Sequence, residues 1–231
     1  METEMKVFIV HAHPEPNSFS GAMTKAATDS LTRAGHEFKV SDLYAMKFNP
    51  VSDRRNFKSV KDADYYKQQV EETFASENNS FADDIQNEMD KLEWCDALIF
   101  QFPLWWFGLP AIMKGWVDKV FAMGRIYGYG AKYETGHFRA KRALCALTTG
   151  GGAEAYLPDG HTGDINAVLV PVNVGMFQFT GFDPLPPFVV YTPVRLSEEE
   201  RQQHLVRYAE YVLQIQTMKP LLQFEVPANS A

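Results

Sequence analysis

The sequence predicts an α/β protein built on a doubly wound sheet of five parallel strands with helices on both faces. Three observations carry this. Short apolar runs alternate with stretches of helical periodicity along the chain. The runs read as continuously hydrophobic rather than alternating, as strands buried on both faces do. Several of them end directly in glycine-, proline- or aromatic-rich loops, which in such sheets gather at the carboxyl edge where ligands bind.

Taken in order, Lys6 to Ala12 is the first strand, bounded by the turn-prone HPEPNS stretch. A helical stripe follows from Ser20 (Ala22, Met23, Ala26, Ala27, Ser30, Leu31), closed by Gly35 as a C-cap. Phe38 to Val40 is a short second strand ending near Asp42. Residues 43 to 94 form a long polar excursion with room for one or two amphipathic helices. Ala97 to Phe102 is the third strand, and the next helix carries Pro110 in its first turn and the stripe Ile112, Met113, Trp116, Val117, Val120 and Phe121. Arg125 to Tyr133 reads as an irregular loop or hairpin. Ala143 to Leu147 is the fourth strand. Ile165 to Phe177 is a buried apolar element whose length favours helix over strand. Phe188 to Tyr191 is the fifth strand. The last helix opens at a capping box, Ser197 with Glu200. These elements make one domain over residues 1–218, with residues 219–231 as a loosely held tail.

Composition bounds the function. The 231 residues are 45% hydrophobic and 22% charged, enough for a full core. A formal net charge of −7 argues against general nucleic-acid binding, and no apolar run has the length of a membrane span. The N-terminus reads as a strand rather than a signal peptide. Cys95 and Cys145, the only cysteines, read as buried, inert thiols of a reducing, cytoplasmic compartment. His11 and His13 lack further ligands nearby, so no metal is expected there. His36, His137 and His204 read as surface residues, Trp94 and Trp116 as core.

Three loops carry the candidate chemistry. HAHPEPNSF (11–19) leads into a helix N-terminus with Ser18 and Ser20, a pattern suited to phosphate. PLWWFG (103–108) offers aromatic rings, although a core aromatic cluster has the same appearance. TTGGGAEAY (148–156) offers hydroxyls and glycines that let backbone amides approach a flat or anionic ligand. Together they suit a nucleotide bearing a planar redox ring. No G-x-G-x-x-G follows the first strand, which argues against a dinucleotide-binding Rossmann site.

The stretches His13…Ser18–Phe19, SDLYAMKFNP (41–50), LIFQFPLWWFGLPAIMKGW (98–116), TTGG…Tyr (148–156), GFDPL (181–185) and SEEER (197–201) resemble the NAD(P)H:quinone oxidoreductase (DT-diaphorase) family over almost the whole chain. The resemblance implies a flavodoxin-like fold, FAD as cofactor, and a homodimer with sites at its interface. It also implies two-electron, ping-pong hydride transfer from NADH or NADPH to quinones or similar flat acceptors. By position, His13, Ser18, Phe19 and Ser20 would hold the pyrophosphate region of FAD. Pro103, Leu104, Trp105, Trp106 and Phe107 would line its ring, Thr148, Thr149, Gly150 and Gly151 would contact its pyrimidine side, and Arg201 would reach it from the last helix. Trp106, Phe107, Tyr127, Tyr129 and Phe179 would form the substrate slot, Phe179 coming from the partner subunit. Tyr156 matches the catalytic tyrosine, which stabilises charge developing on the flavin. The matching histidine position holds Thr162, with His161 one residue earlier as its candidate replacement. The family's metal-binding pair would fall at Val174 and Gln178, so no zinc is expected. The sequence also lacks the C-terminal extension with which one branch holds ordinary NAD(P)H; the branch without it prefers truncated dihydronicotinamides. A different class, a flavodoxin-like carrier or a regulatory subunit of a membrane transporter, is the alternative.

Overall fold

A computed structural model describes residues 4–221. Its order is β1 (Lys6–His11), α1 (Phe19–Ala34), β2 (Glu37–Asp42), α2 (Gln68–Asn78), α3 (Asp83–Trp94), β3 (Ala97–Pro103), α4 (Ala111–Val120), β4 (Arg142–Thr149), α5 (Ile165–Val168), α6 (Val170–Val172), β5 (Asp183–Pro184), β6 (Phe188–Tyr191) and α7 (Glu198–Leu213). The strands pair in parallel in the order β2-β1-β3-β4-β5, with β6 also on β4. The fifth strand position is thus shared by two short segments. β5 pairs with Arg142–Ala143 and β6 with Ala146–Thr149; between them, Pro186 and Pro187 have no N–H to give to a ladder, which confines such a segment to a sheet edge.

Alternation along each strand sends side chains to two cores. Val7, Ile9, Ile99 and Leu144 pack under Met23, Ala27 and Leu31 of α1 and Tyr208 and Val212 of α7. Phe8, Val10, Phe100 and Cys145 pack on the other face with Ile85 and Met89 of α3 and Trp116 of α4. The polar excursion therefore does hold two amphipathic helices. Its first part is clasped to α4 at Gly115, where a Cβ would lie 2.3 Å from the Pro50 carbonyl oxygen; only glycine lets the two backbones approach so closely.

The expected helix over 165–177 is not one helix. After α5 and α6 the backbone shifts into a π-helical turn at Asn173–Gln178. Pro171 cannot donate to the preceding turn, and π segments are commonly functional. Val174 and Gln178 both sit on this turn. Trp116 is core, its Nε1 donating to Glu88 Oε2 at 2.8 Å, but Trp94 is only half-buried, with the Lys39 ammonium 4.2 Å from its ring centre. Of the expected surface histidines, His36 and His204 are half-buried; the Met5 N–H donates to His36 Nδ1. Both cysteines are buried and free, and burial pushes the Cys95 thiol up to about 12 and Cys145 upward as well. Among the described residues no helix is long and apolar enough to cross a membrane. Leu221 donates its N–H to the Pro184 carbonyl, so the chain still touches the sheet edge there; the rest of the expected tail lies outside the described residues.

Candidate active site

The chain reverses its winding direction between β1 and β3, and the crevice outside the carboxyl ends of those strands is where ligands settle in such sheets. The three loops meet there. Leu104 N–H donates to the Thr148 carbonyl at 2.8 Å. Ser20 Oγ lies 3.5 Å from Thr148 Oγ1. The His13 and Trp105 rings are 6.4 Å apart.

Each loop has its own local cause. Ser18 caps α1 by accepting from Gly21 N–H at 3.1 Å, and a Cβ on Gly21 would lie 2.4 Å from the Pro16 carbonyl, so the loop folds back tightly over the helix start. No acidic residue stands in the first turn of α1, which leaves its positive dipole end available to an anion. His13 Nδ1 accepts Glu15 N–H at 3.0 Å, fixing its ring.

After Pro103 the chain makes a two-residue reversal. Trp105 and Gly108 exchange backbone hydrogen bonds at 3.3 and 3.0 Å, with Trp106 at φ 51° and Phe107 at φ 57°. Such turns favour Asn-Gly; bulky aromatics in the left-handed region carry strain of roughly 1–3 kcal/mol each. The strain displays rings outward: Trp106 is 97% exposed and Phe107 57%.

On the third loop, Thr149 Oγ1 donates to the Gly151 carbonyl at 2.8 Å, while Gly150 faces open space. A Cβ on Gly151 would stand 3.1 Å from Tyr156 Cε2 and 3.6 Å from its hydroxyl, so this glycine is what lets the tyrosine reach the turn. Tyr156 is buried, lies 5.7 Å from the Tyr191 ring, and burial pushes its phenol up. Its proton is therefore held through the neutral range. Arg201 is half-buried on α7; its Nε has no hydrogen-bond partner and lies 3.5 Å from Glu198 Oε2.

His161 is exposed and makes no side-chain hydrogen bond among the described residues. The backbone instead pins its neighbour: Thr162 N–H donates to the Ala155 carbonyl at 3.1 Å.

Tyr127, Tyr129 and Phe179 lie elsewhere. The Tyr127 and Phe179 rings are 5.4 Å apart, and Tyr133 meets Phe179 edge-on at 5.5 Å. Tyr127 and Phe179 border a cavity of about 420 Å³ between α2, α4 and the π turn, none of whose lining residues belongs to the three edge loops. Tyr129 stands 94% exposed at the tip of its loop. The candidate residues thus form two separate groups on one chain. Among the described residues no cluster of His, Cys, Asp or Glu is arranged to hold a metal.

Residues 5–212 match the family model described as flavodoxin-like fold. A guinea pig (Cavia porcellus) protein named NAD(P)H dehydrogenase [quinone] 1 is 43% identical over 80% of this chain and 68% of its own. An orangutan (Pongo abelii) ribosyldihydronicotinamide dehydrogenase [quinone] is 38% identical over 94% of both. The chain belongs to the NAD(P)H:quinone oxidoreductase family of flavodoxin-like proteins. A solved Klebsiella pneumoniae chain described as a candidate quinone reductase superposes with TM-score 0.88 at 37% identity, covering 94% of this chain and 87% of that one.

This family member also has site residues that sequence reasoning missed. Gly21 and Tyr191 shape the edge group, and Gln69 and Glu72 of α2 face the Tyr127 cavity. Gly21, three residues beyond the cap, was open to suspicion as a close-approach glycine. Gln69 and Glu72 carried no signal within a polar helix.

Proposed function

We propose that this protein is an FAD-dependent NAD(P)H:quinone oxidoreductase, working as a cytoplasmic homodimer by a ping-pong, two-electron cycle. The observation that carries the reading is Tyr156: a buried, protonated phenol set against a glycine turn where three ligand-type loops converge. Its relatives' names, which pair a reduced nicotinamide with a quinone, support the same reaction class.

Three features fit a flavin dinucleotide. The α1 N-terminus has no competing acid in its first turn, the face of Gly150 is open, and Arg201 keeps an unpartnered buried Nε. His13, Ser18, Phe19 and Ser20 would hold the pyrophosphate. Pro103 to Phe107 and Thr148 to Gly151 would flank the ring, and Arg201 would anchor from α7. His13 and Arg201 extend beyond the first phosphate site, which favours FAD over the shorter FMN. When bound, the flavin would supply a ring able to accept hydride from a reduced nicotinamide and pass it to a quinone.

The chain's own residues do the rest. Tyr156 keeps its proton and directs an O–H dipole at charge developing beside Gly151, a preorganised form of electrostatic stabilisation. His161, five residues on, is the second candidate donor at that rim. Trp106 and Phe107 present flat apolar faces on which donor and acceptor would stack in turn, and use of one slot by both gives ping-pong kinetics. Tyr127, Tyr129 and Phe179 would close the slot from a second copy, because on one chain they stand apart from the edge loops.

Anaerobic mixing of the FAD-loaded protein with NADPH tests this. The visible flavin band is expected to bleach without a one-electron intermediate band and to return on adding a quinone. A band that persists with NADPH but bleaches with ribosyldihydronicotinamide would reassign the donor. Persistence with both, FAD remaining bound, would overturn the reading.

A further inference from the structure

The loop that carries Tyr127 and Tyr129 is held by α2, an element with no expected part in the chemistry. Glu72 is buried and its Oε2 accepts the Met123 N–H at 2.8 Å. Gln68 Nε2 braces the same carboxylate at 2.7 Å and donates to the Asp118 carbonyl of α4 at 3.0 Å. Ser76 Oγ donates to the Met123 carbonyl at 3.4 Å. One turn before Glu72 along the helix, Gln69 Nε2 donates to the Tyr127 hydroxyl at 3.1 Å. Gln69, Glu72, Tyr127 and Phe179 all line the same cavity.

The direction of the last bond matters. An amide N–H can only donate, so the phenol oxygen is the acceptor and its own proton stays free. No acceptor for that proton occurs among the described residues, and burial keeps the phenol protonated. A carbonyl oxygen of a flat acceptor is the chemistry that such a donor recognises.

We infer that Gln69 and Glu72 are positioning residues for substrate: Glu72 fixes the loop backbone and Gln69 turns the Tyr127 proton toward a carbonyl oxygen of the bound quinone. This rests on the proposed function, in which Tyr127 faces the acceptor.

Reversing the polarity of one bond tests it. Gln69→Glu is nearly isosteric, but its carboxylate would accept the Tyr127 proton and take it from the quinone. Binding of 2-methyl-1,4-naphthoquinone to the oxidised FAD-loaded protein, read from the flavin absorption without turnover, is expected to weaken about tenfold in Gln69→Glu. It should weaken about threefold in Gln69→Leu. KM for the quinone should rise in parallel. Acidification should restore binding in Gln69→Glu as the new carboxyl regains its proton, with Glu72 of α2 and Asp118 of α4, the other titratable acids lining the cavity, common to all variants. Tyr127→Phe should remove the difference between the Glu and Leu variants.

Packing alone would rank Gln69→Glu close to the unmodified protein and below Leu in damage; that order would overturn the inference. If Tyr127→Phe itself leaves quinone binding unchanged, the assignment of Tyr127 to the acceptor fails, and with it this proposal. If the unmodified protein binds and reduces no quinone, the proposed function fails first. Glu72→Ala, which removes the acceptor of the Met123 N–H, should weaken quinone binding in a variant shown by circular dichroism to be folded; unchanged binding there would remove Glu72 from the assignment.

Discussion

The edge group around Tyr156 and the cavity group around Tyr127 are built in opposite ways. The edge residues hang from strand ends: Leu104 and Thr148 are neighbours because β3 and β4 are paired in register, with Pro103 opposite Thr148. Their positions follow from the sheet. The cavity residues hang from helix packing and from a handful of side-chain bonds, Glu72 to Met123 and Gln69 to Tyr127. A site half made from ladder bonds is rigid by construction, whereas one made from long side chains is tunable. In the proposed cycle, a slot that takes a nicotinamide and then a different acceptor would be served by one half of each kind.

The largest effect should come from removing what both halves share. Trp116 is fully buried in α4, the helix that follows the aromatic reversal and also walls the cavity. Trp116→Ala should cost about 3–5 kcal/mol, since a large cavity opens and buried Glu88 loses one of its two side-chain donors, Lys91 being the other. Urea unfolding measures this; a loss under 1 kcal/mol would mean that the halves do not depend on a common core.

Separating the halves comes next. Tyr156→Phe should slow flavin bleaching by the nicotinamide on the order of a hundredfold, as loss of a donor at developing charge does, with FAD content and quinone binding unchanged. If FAD is lost instead, the phenol is structural and the edge group is a binding frame only.

A smaller effect tests the stored strain. Trp106→Asn places a residue tolerant of positive φ at an almost fully exposed position and should raise stability by about 1 kcal/mol while quinone binding weakens. Thermal unfolding beside quinone titration decides it; a fall in stability would show that Trp106 packs rather than displays.

The smallest effect lies in pH dependence. Burial holds the Glu72 carboxyl above its ordinary value of 4.5. The folded state therefore binds the proton more tightly than the unfolded one. The stability from this group is fully present below pH 4.5 and is lost as pH rises through the raised folded value. Glu72→Gln removes this component, so the difference in unfolding free energy between the two proteins should change across that window. A difference that stays flat from pH 4 to 7 would place Glu72 in a more polar setting than the cavity wall described here.

Local sequence determined the strands other than the two-residue β5, the capping of α1 and α7, and the convergence of the three loops. Each follows from periodicity, a cap residue or the rule that parallel strands deliver their loops to one edge. Gly35 and the Ser197–Glu200 pair cap their helices where the sequence places them, because a cap is settled within a few residues. Tertiary structure alone decided the rest. The π turn at Asn173–Gln178 depends on what the segment packs against. The proximity of Gly21 to Pro16 and of Gly115 to Pro50 depends on how loops fold back. The α2 clasp joins Gln69 to a tyrosine 58 positions away. A polar side chain on a helix has the same local signature whether it meets water or a buried partner, so only the packed chain distinguishes Glu72 from the solvated carboxylates around it.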